Sequence, residues 1–500
     1  EFYCTIFAVS ESPKQRGVIW VGSDDGLVHV TRDGGANWTN VTSAMSGLPE
    51  WGTISLIEPS PFDAATAYVV VDAHRLDDMR PYLYKTTDFG RSWKRLDTGL
   101  PPDVYLHAVR EDPQRRGLLY AGTERGVVYS VDDGAMWRSL QLNLPTVPVH
   151  DLVVKDQSLV VGTHGRSIWI LDDLVPVREL SAQVLQHDLH VFTAADAIRW
   201  RYAATPRQKG AGENPPRGAT IYYFLKTKPK GDVTLEILDA ESRVVRRLTS
   251  VPPPKDDDPE SEEDEETRLK KALPTEPGVQ RAVWDLARDG ARKIARARLD
   301  AGDLDRGPLV PPGAYTARLT VDGRVVTTPL RVVRDPRTTV SDADLQAQEV
   351  FATQVRDAIN SLEGLVSQLR TVRQQIATRR DLLETHANAR DLLAAGDRII
   401  ARCDTLERQL HNPTAEVTYD ILAQRGGAKL YSRLAPLMAF ADEGDGAPTQ
   451  GMKEMFAVYQ SELAQLTGDV QALVNKDVAE LNQAAARAGI GYVVTKETTR

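Results

Sequence analysis

The sequence "TRDGGANWTN", residues 31–40, returns in altered form as "TTDFGRSWKR" at 86–95 and as "SVDDGAMWRS" at 130–139. All three copies share the pattern S/T-x-D-x-G-x-x-W, so an aspartate, a glycine and a tryptophan keep a constant spacing. The motif residues are Asp33, Gly35, Trp38, Asp88, Gly90, Trp93, Asp132, Gly134 and Trp137. Because self-similarity at a fixed period is the signature of repeat architectures, this motif decides the fold prediction.

Strand-like sequence with alternating apolar residues precedes the motif, for example "GVIWVGSDDGLVHV" at 17–30 and "GLLYAGTERGVVYS" at 117–130. A fourth strand–turn–strand segment, "SLVVGTHGRSIWIL" at 158–171, lacks the aspartate and glycine of the motif. The motif aspartates are 55 and 44 residues apart. Short strands at this spacing predict a partial β-propeller of about four blades over residues 1–175.

We expect the motif to form a turn between the third and fourth strands of a blade. The aspartate carboxylate would accept hydrogen bonds from backbone N–H groups of the turn, and the glycine would supply a positive φ. The tryptophan would cover neighbouring strands. The predicted role of the motif is therefore structural, and function is expected elsewhere on the fold.

The composition is that of an ordinary soluble protein, with 41% hydrophobic and 26% charged residues in a chain of 500. No apolar run approaches the roughly 18 residues of a membrane span, and the sequence shows no signal-peptide pattern. The two cysteines, Cys4 and Cys403, exclude a disulfide framework and a cysteine-based metal cluster. The net charge of −9 and the lack of a basic patch argue against a nucleic-acid partner.

The sequence after residue 175 changes character twice. The predicted boundaries are 1–175 for the propeller blades, 176–215 for a connector, 216–336 for a β-sandwich with an acidic insertion at 252–271, and 337–500 for a helical bundle. Two alternating stretches joined by Asp322-Gly323 predict the last hairpin of an immunoglobulin- or fibronectin-like sandwich. Nine of the eleven residues from Asp256 to Glu266 are acidic, which is typical of a solvated loop.

Helical periodicity begins after residue 340. Ser341 followed by Asp344 predicts a capping box at the start of the first helix, which continues through apolar residues at helical spacing. A second helix is predicted at about 381–410, and further helical sequence follows at 415–440 and 450–488. These segments predict an antiparallel bundle whose apolar stripes form its own core.

Polar residues collect in the loops at one end of the predicted propeller. These loops join the second strand to the third, or one blade to the next, and connecting loops commonly carry function. The residues that we predict to bind a ligand there are Trp51, His74, Arg75, Arg80, Tyr105, His107, Glu124, Arg125, His150, His164 and Arg166. Mixed acids, arginines, histidines and aromatics suit a polar ligand such as a glycan or a peptide. The alternative is that these side chains pair with one another and bind nothing.

Hydrolysis of a glycan would require two carboxylates on opposite sides of a cleft. Their separation would be roughly 5–5.5 Å for a retaining enzyme or roughly 6.5–9.5 Å for an inverting one. The candidate catalytic residues are Asp24, Asp25, Asp77 and Asp78. His74 and His164 lie on separate loops without the short spacing of metal ligands, so we predict no metal and no cofactor.

The repeated motif resembles the Asp-box, or BNR repeat, of sialidases, sortilin-type receptors and xyloglucanase-type glycoside hydrolases. The order of features along the chain resembles a bacterial group of sortilin-like Asp-box propeller proteins, often labelled "glycosyl hydrolase". Matching stretches include "EFYCTIFAVSESPKQRGVIWVGSDDGLVHVTRDGG", "LLYAGTERGVVYSVDDGAMW" and "GPLVPPGAYTARLTVDG". The resemblance implies an exported protein, periplasmic or secreted, with missing blades upstream of this chain or on a partner chain. It carries over no catalytic residues.

These observations favour a binding protein. The expected function is extracytoplasmic recognition of a protein, a peptide or a glycan through the loop face of the propeller. One alternative is a glycoside hydrolase that uses an acid pair on that face. A second alternative is an assembly scaffold in which the helical domain joins partners or copies of the chain into a homo-oligomer.

Overall fold

The computed structural model describes residues 4–181, 183–201, 214–254, 264–383, 389–422 and 426–488. The chain divides into two compact units, Glu1–His187 and Asp188–Arg500. It is mainly β, with many small sheets, and its C-terminal region is helical. Within the described ranges, no helix combines the length and apolar character needed to cross a membrane. Most of the predicted acidic loop at 256–266, and residues 202–213 of the predicted connector, lie outside the described residues.

The first unit consists of four antiparallel sheets whose strands follow one another in chain order. The first sheet contains β1 (Ile6–Glu11), β2 (Ile19–Ser23), β3 (Val28–Thr31) and β4 (Thr39–Asn40), and the second contains β5 (Thr53–Pro59), β6 (Ala67–Asp72), β7 (Tyr82–Thr86) and β8 (Lys94–Arg95). The third contains β9 (Leu106–Glu111), β10 (Leu119–Thr123), β11 (Gly126–Ser130) and β12 (Arg138–Ser139), and the fourth contains β13 (Val149–Lys155), β14 (Ser158–Thr163) and β15 (Ile168–Leu171). A short helix, α1 (Val175–Glu179), follows.

Successive sheets of the first unit meet at their first strands. β1 contacts β5, β5 contacts β9, and β9 contacts β13. A side-chain donor on each strand bonds a backbone carbonyl on the next: Ser10 to Ile57 at 2.7 Å, Ser55 to His107 at 3.1 Å and Arg110 to Leu152 at 2.6 Å. Sheets ordered with their first strands side by side have the relation of consecutive β-propeller blades. The number of blades stays a prediction.

The repeated motif forms the turn between the third and fourth strands of its sheet. In the first copy, Asp33 Oδ1 accepts the backbone N–H of Asn37 at 2.9 Å and the hydroxyl of Thr31 at 2.8 Å. The equivalent backbone bonds join Ser92 to Asp88 and Met136 to Asp132, both at 2.9 Å. Hydrogen bonds to the ionised carboxylate hold the pKa of Asp33 at about 2, led by the bond from the Asn37 side chain. The aspartate therefore has the structural role that its sequence context predicts.

In the second and third copies, the glycine and tryptophan of the motif pack the turn against the preceding sheet. Gly90 and Gly134 have positive φ, at +81° and +79°. A Cβ on Gly90 would lie 2.8 Å from Val41, and one on Gly134 would lie 2.9 Å from Leu96, so a larger residue would separate the sheets. The indole N–H of Trp137 donates to the carbonyl of Leu96 at 2.7 Å.

The first copy of the motif lacks these contacts. Trp93 meets the ring of Trp20 edge to face at 6.0 Å, whereas Trp38 is 45% exposed. A Cβ on Gly35 would approach only the ring of Trp38, at 3.8 Å. The expectation that the tryptophan covers neighbouring strands is therefore confirmed for Trp93 and wrong for Trp38, because no described sheet precedes the first one.

Replacing Asp88 with alanine is expected to lower the free energy of unfolding of the first unit by about 1–2 kcal/mol, because a charge-assisted bond to the turn is lost. Asp88→Asn is the matched control, since an amide oxygen still accepts the N–H of Ser92. Denaturant titration of both variants measures the difference. An Asp88→Ala midpoint equal to that of the unaltered protein would contradict a structural role for the turn.

The second unit begins with two sheets packed on one core and a separate hairpin. Its first strands are β16 (Leu189–Val191), β17 (Ala197–Arg199), β18 (Ala219–Leu225), β19 (Thr234–Leu238) and β20 (Val244–Thr249), followed by α2 (Glu265–Lys270). The remaining strands are β21 (Gly278–Trp284), β22 (Ala287–Asp289), β23 (Arg306–Leu309), β24 (Gly313–Val321) and β25 (Arg324–Arg334). The sheets run β16-β18-β21, β17-β25-β24-β19-β20 and β22-β23. The immunoglobulin-like description and the four-part division of the chain stay predictions.

Two local predictions for the second unit are confirmed. Asp322 and Gly323 both have positive φ, at +48° and +79°, as expected for the tight turn that joins β24 to β25. Ser341 Oγ accepts the backbone N–H of Asp344 at 3.1 Å and donates to its carboxylate at 2.6 Å, which caps the first long helix. Both signals are local in sequence and need no tertiary contact.

The helical region contains six α-helices within the described residues. They are α3 (Asp342–Leu383), α4 (Arg390–Leu410), α5 (Thr418–Leu422), α6 (Leu430–Ala441), α7 (Gln450–Ala472) and α8 (Ala479–Arg487), with a π-helical turn at Leu473–Val478. The second long helix begins at Arg390 rather than at the expected position near 381, because the first one extends to Leu383. Ile294 and Leu304, from the segment between β22 and β23, are part of the helical core.

Candidate functional site

Five aromatic and imidazole rings form a continuous row on the loop face of the first unit. Ring centroids lie 4.7 Å apart for His74 and Tyr105, 5.0 Å for Tyr105 and His107, 4.3 Å for His107 and His150, and 4.7 Å for His150 and His164. We call these five residues the histidine row. It joins the second, third and fourth sheets.

Equivalent positions in successive sheets supply the row. His107 and His150 are the second residues of β9 and β13, while Glu124 and His164 directly follow β10 and β14. The same backbone bond closes three of the loops, from Asp24 to the carbonyl of Thr5 at 3.1 Å, from Glu124 to Tyr105 at 3.2 Å and from His164 to Pro148 at 2.9 Å. Repetition of the sheet therefore aligns side chains that are 40 or more residues apart in sequence.

Two carboxylates contact the row from the second and third sheets. Glu124 Oε2 lies 2.9 Å from His107 Nε2, and Asp72 Oδ1 lies 2.7 Å from His74 Nδ1. Burial raises the pKa of Glu124, but hydrogen bonds from His107 and Tyr105 outweigh it and leave that pKa below its ordinary value. Burial and the bond to Glu124 raise the pKa of Tyr105. Sequence reasoning missed Asp72 because it is the final residue of an apolar strand.

The fourth-sheet end of the row has a different electrostatic environment. Neither His150 nor His164 has a carboxylate hydrogen-bond partner among the described residues. Partial burial and the neighbouring imidazoles of His107 and His164 lower the pKa of His150, against a smaller opposing effect of Glu124 and Asp72. Within the part of the chain that the structure describes, no three His, Cys, Asp or Glu side chains are grouped as metal ligands.

The predicted arginines divide into paired and unpaired groups. Arg80 donates to Asp78 through Nε at 2.8 Å and Nη2 at 2.6 Å, and Arg125 pairs with Asp103 at 2.8 Å. Arg75 and Arg166 are exposed and form no ion pair with a described residue. The face therefore carries cationic side chains that remain available to a ligand.

The predicted acid pair has hydrogen-bond partners of its own. Asp78 accepts bonds from Arg80 and Tyr82, and the bond from Arg80 is the main reason that its pKa lies far below the usual range. Ser23 donates to Asp25 and likewise lowers its pKa. A general acid in glycoside hydrolysis requires a raised pKa, so the environment of these two carboxylates is opposite to that requirement.

Asp24 and Asp25 accept hydrogen bonds from groups other than the rings of the row. They follow β2 on the first sheet, where Asp24 Oδ1 accepts the backbone N–H of Thr5 at 2.8 Å. Among the described residues, neither carboxylate forms a hydrogen bond with a side chain of the row. The structure thus brings together His74, Tyr105, His107, Glu124, His150 and His164.

Trp51 and Asp77 have an uncommon backbone conformation on the loop face. Both have φ of +63°, and Trp51 is 50% exposed. Thr53 pairs with Asp72, so Trp51 lies at the same end of the second sheet as His74. A bulky residue with positive φ is strained, and such strain clusters at functional sites.

No protein-family model matches the chain. Among curated proteins, the vacuolar protein sorting/targeting protein 10 of Laccaria bicolor is 32% identical over 108 residues, which are 21% of this chain and 6% of that protein. Among solved structures, YCF48 bound to a D1 peptide is 21% identical with a TM-score of 0.25, over 31% of this chain and 47% of that chain. The GH74 xyloglucanase from Xanthomonas campestris is 14% identical with a TM-score of 0.29, over 64% of this chain and 45% of that chain. Both are β-propeller proteins. The order and the contacts of the sheets in the first unit support that fold for this chain by themselves.

Proposed function

We propose that the first unit recognises a polar ligand, namely a protein, a peptide or a glycan, through the loop face that carries the histidine row, and that it does so outside the cytoplasm. The observation that carries this proposal is the contact of five rings from three sheets in a single row. Imidazole and phenol groups both donate and accept hydrogen bonds, and polar groups converging on one surface are what a specific binding site requires.

Pairing among the loop residues explains only part of the face. His107 is hydrogen-bonded to Glu124, and His74 to Asp72, so these side chains have partners within the protein. The fourth-sheet end of the row, His150 and His164, is not explained by pairing with carboxylates of the described residues, and Trp51 is half-exposed with a strained backbone. A backbone strain of about 1–3 kcal/mol is retained where the surrounding structure enforces it, commonly at a ligand site.

Binding accounts for the acidic residues better than hydrolysis does. Asp25 and Asp78 are held ionised by their partners, which suits hydrogen-bond acceptors and does not suit a proton donor. In the hydrolase alternative, the general acid would then have to be Asp24 or Asp77. Oligosaccharides incubated with the protein, and with Asp77→Asn and Asp78→Asn, should show no release of new reducing ends.

Replacing His107 with alanine is expected to weaken ligand binding by about tenfold or more, because the central ring supports both halves of the row. The measurement is binding of the full chain to peptide and glycan arrays, followed by titration of the strongest ligands. His29→Ala, on β3 of the first sheet, is the matched control. Equal binding by the His107→Ala variant and the unaltered protein would contradict the proposed site.

A second candidate function, assembly with further sheets of the same kind, is favoured by the outer faces of the first unit. On the first sheet, Phe7 and Val9 of β1 are each 62% exposed, and Trp38, which precedes β4, is 45% exposed. On the fourth sheet, Val153 and Ile170 flank Val160 across paired strands and are 49% and 58% exposed. Equivalent faces between the other sheets are buried apolar cores, so these two faces fit additional blades in a longer chain or on a partner chain. Sedimentation velocity over a range of concentrations tests whether a second copy fills them.

A further inference from the structure

The histidine row is electrostatically uneven along its length. At the second and third sheets, His74 and His107 each bond a carboxylate. At the fourth sheet, His150, His164 and Arg166 form a group that has no carboxylate partner among the described residues, and we call this group the anion end. We propose that the ligand of the loop face is an acidic peptide whose aspartate or glutamate side chain is held by the anion end, a proposal that rests on the proposed function.

The loop that carries the anion end is braced by its own hydrogen bonds. The backbone N–H of Arg166 donates to Thr163 Oγ1 at 3.2 Å, and its carbonyl accepts the indole N–H of Trp169 at 2.8 Å. Gly165 has a φ of +91°, which turns the chain between His164 and Arg166. His164 and Arg166 therefore share one short turn, and His150 on β13 contacts the ring of His164. Charge-assisted bonds from imidazolium and guanidinium donors to a carboxylate are strong.

Protonation of the anion end depends on its neighbours. The titratable groups that face His150 are His107 from β9, Glu124 after β10, Asp72 at the end of β6 and His164 after β14. The adjacent Asp151 is occupied by Arg110 Nη2 at 2.7 Å. Burial and the neighbouring imidazoles lower the pKa of His150, whereas a bound carboxylate would favour the protonated form. Binding should therefore take up a proton, and affinity should rise as the pH falls through the ordinary histidine range.

Exposed apolar side chains at the other end of the row favour a peptide over a sugar. Leu76 and Met79, in the turn after His74, are 45% and 42% exposed, and Trp51 lies at the same end of the second sheet. Aromatic residues and methionine are enriched at protein interfaces. The aliphatic side chains of Leu76 and Met79 suit contact with an apolar side chain of a peptide better than contact with a hydroxylated sugar ring. From His74, beside these apolar side chains, to His164 at the anion end, the row consists of four ring-to-ring distances of 4.3–5.0 Å. An extended peptide covers that path in about five to six residues.

The test uses an array of peptides in which leucine and glutamate are separated by five variable positions, each beside its glutamine twin. Fluorescence anisotropy with the full chain then measures the affinity of the protein for both peptides of the strongest pairs, at pH 5.5 and at pH 8.0. We expect glutamate peptides to bind about tenfold more tightly at pH 5.5, since a pKa increase of about one unit on binding has that consequence. Glutamine twins should show little dependence on pH.

Variants separate this proposal from the proposed function. His150→Gln combined with His164→Gln should abolish the preference for glutamate, while His29→Gln should retain it. Equal binding of glutamate and glutamine peptides, binding independent of pH, or an unchanged preference in the double variant would each overturn the acidic-peptide proposal. Binding of oligogalacturonate with the expected pH dependence, but of no peptide, would overturn the peptide class. If His107→Ala still abolishes the remaining binding in any of these cases, the proposed function stands without the acidic ligand.

Discussion

Replacing Arg110 with methionine is expected, at pH 8, to lower the free energy of unfolding of the first unit by about 3–5 kcal/mol, the cost of leaving the largely buried charge of Glu58 without its partner. Arg110 lies on β9 and joins three first strands. Its guanidinium bonds Glu58 on β5 at 2.8 Å, and on β13 it bonds Asp151 at 2.7 Å and the carbonyl of Leu152 at 2.6 Å. Methionine preserves much of the side-chain volume but supplies none of these donors.

The loss of stability in the Arg110→Met variant should depend on pH. Burial raises the pKa of Glu58 to about 7, against the attraction of Arg110. Because the folded state binds this proton more tightly than the unfolded state, the stabilisation from Glu58 is complete below pH 4.5 and is lost as the pH rises to about 7. Without Arg110 the pKa of Glu58 should rise further. The Arg110→Met variant is therefore expected to lose more stability at pH 8 than at pH 5.5.

Thermal unfolding at the two pH values measures this effect, with two controls. Glu58→Gln added to Arg110→Met should recover part of the stability at pH 8, because no buried carboxylate then lacks a cation. Arg116→Met removes an exposed arginine that donates to the carbonyl of Phe62 at 3.3 Å and lies over its ring at 5.2 Å, and it should change little. Unfolding of Arg110→Met at the same temperature as the unaltered protein, at both pH values, would show that the strands do not depend on this link.

The features that the sequence predicts correctly are those whose interacting residues all lie within one short segment. The repeated turn could be found because Asp33, Gly35 and Trp38 act within eight residues, and the bonds of that turn are local. The hairpin at Asp322-Gly323 is similar, since two successive positive φ angles favour that pair. The exposure of Trp38 could not be foreseen, because it depends on whether another sheet packs against the first.

The candidate site shows the same division. His107, His150 and His164 could be selected because each occupies a repeated position at a strand end. Asp72 and Glu58 were missed, since both lie on strands whose neighbours are apolar and their roles depend on side chains from elsewhere. Periodicity reports which face of a strand a residue is on, but it does not report which residue of another sheet meets it.

Glu407 in the second unit presents the opposite case to Glu58. It lies on α4, is 2% exposed, and is bonded by Arg370 at 2.8 Å, Arg373 at 3.0 Å and His411 at 3.0 Å. Burial alone would raise its pKa, but the bonds from His411 and Arg370, with the charges of both arginines, lower it to about 2. Two arginines and a histidine therefore keep this buried carboxylate ionised, where the single Arg110 does not do so for Glu58.

Replacing Glu407 with glutamine is expected to lower the free energy of unfolding of the second unit by about 3 kcal/mol at pH 7, the equivalent of a pKa lowered by some two and a half units. Since the folded pKa lies below the unfolded one, this stabilisation is present above pH 4.5 and disappears as the pH falls to about 2. Calorimetry at pH 7 and pH 3 measures it. Asp404→Asn, which removes a half-buried partner of Arg373, is the control and should cost less. A Glu407→Gln deficit that is equal at both pH values would mean that lost packing, rather than the lost charge, destabilises the helices.

Glu58 lowers the stability of the first unit as the pH rises, whereas Glu407 contributes less stability to the second unit as the pH falls. The Arg110→Met and Glu407→Gln substitutions therefore also assign each unfolding transition to its unit.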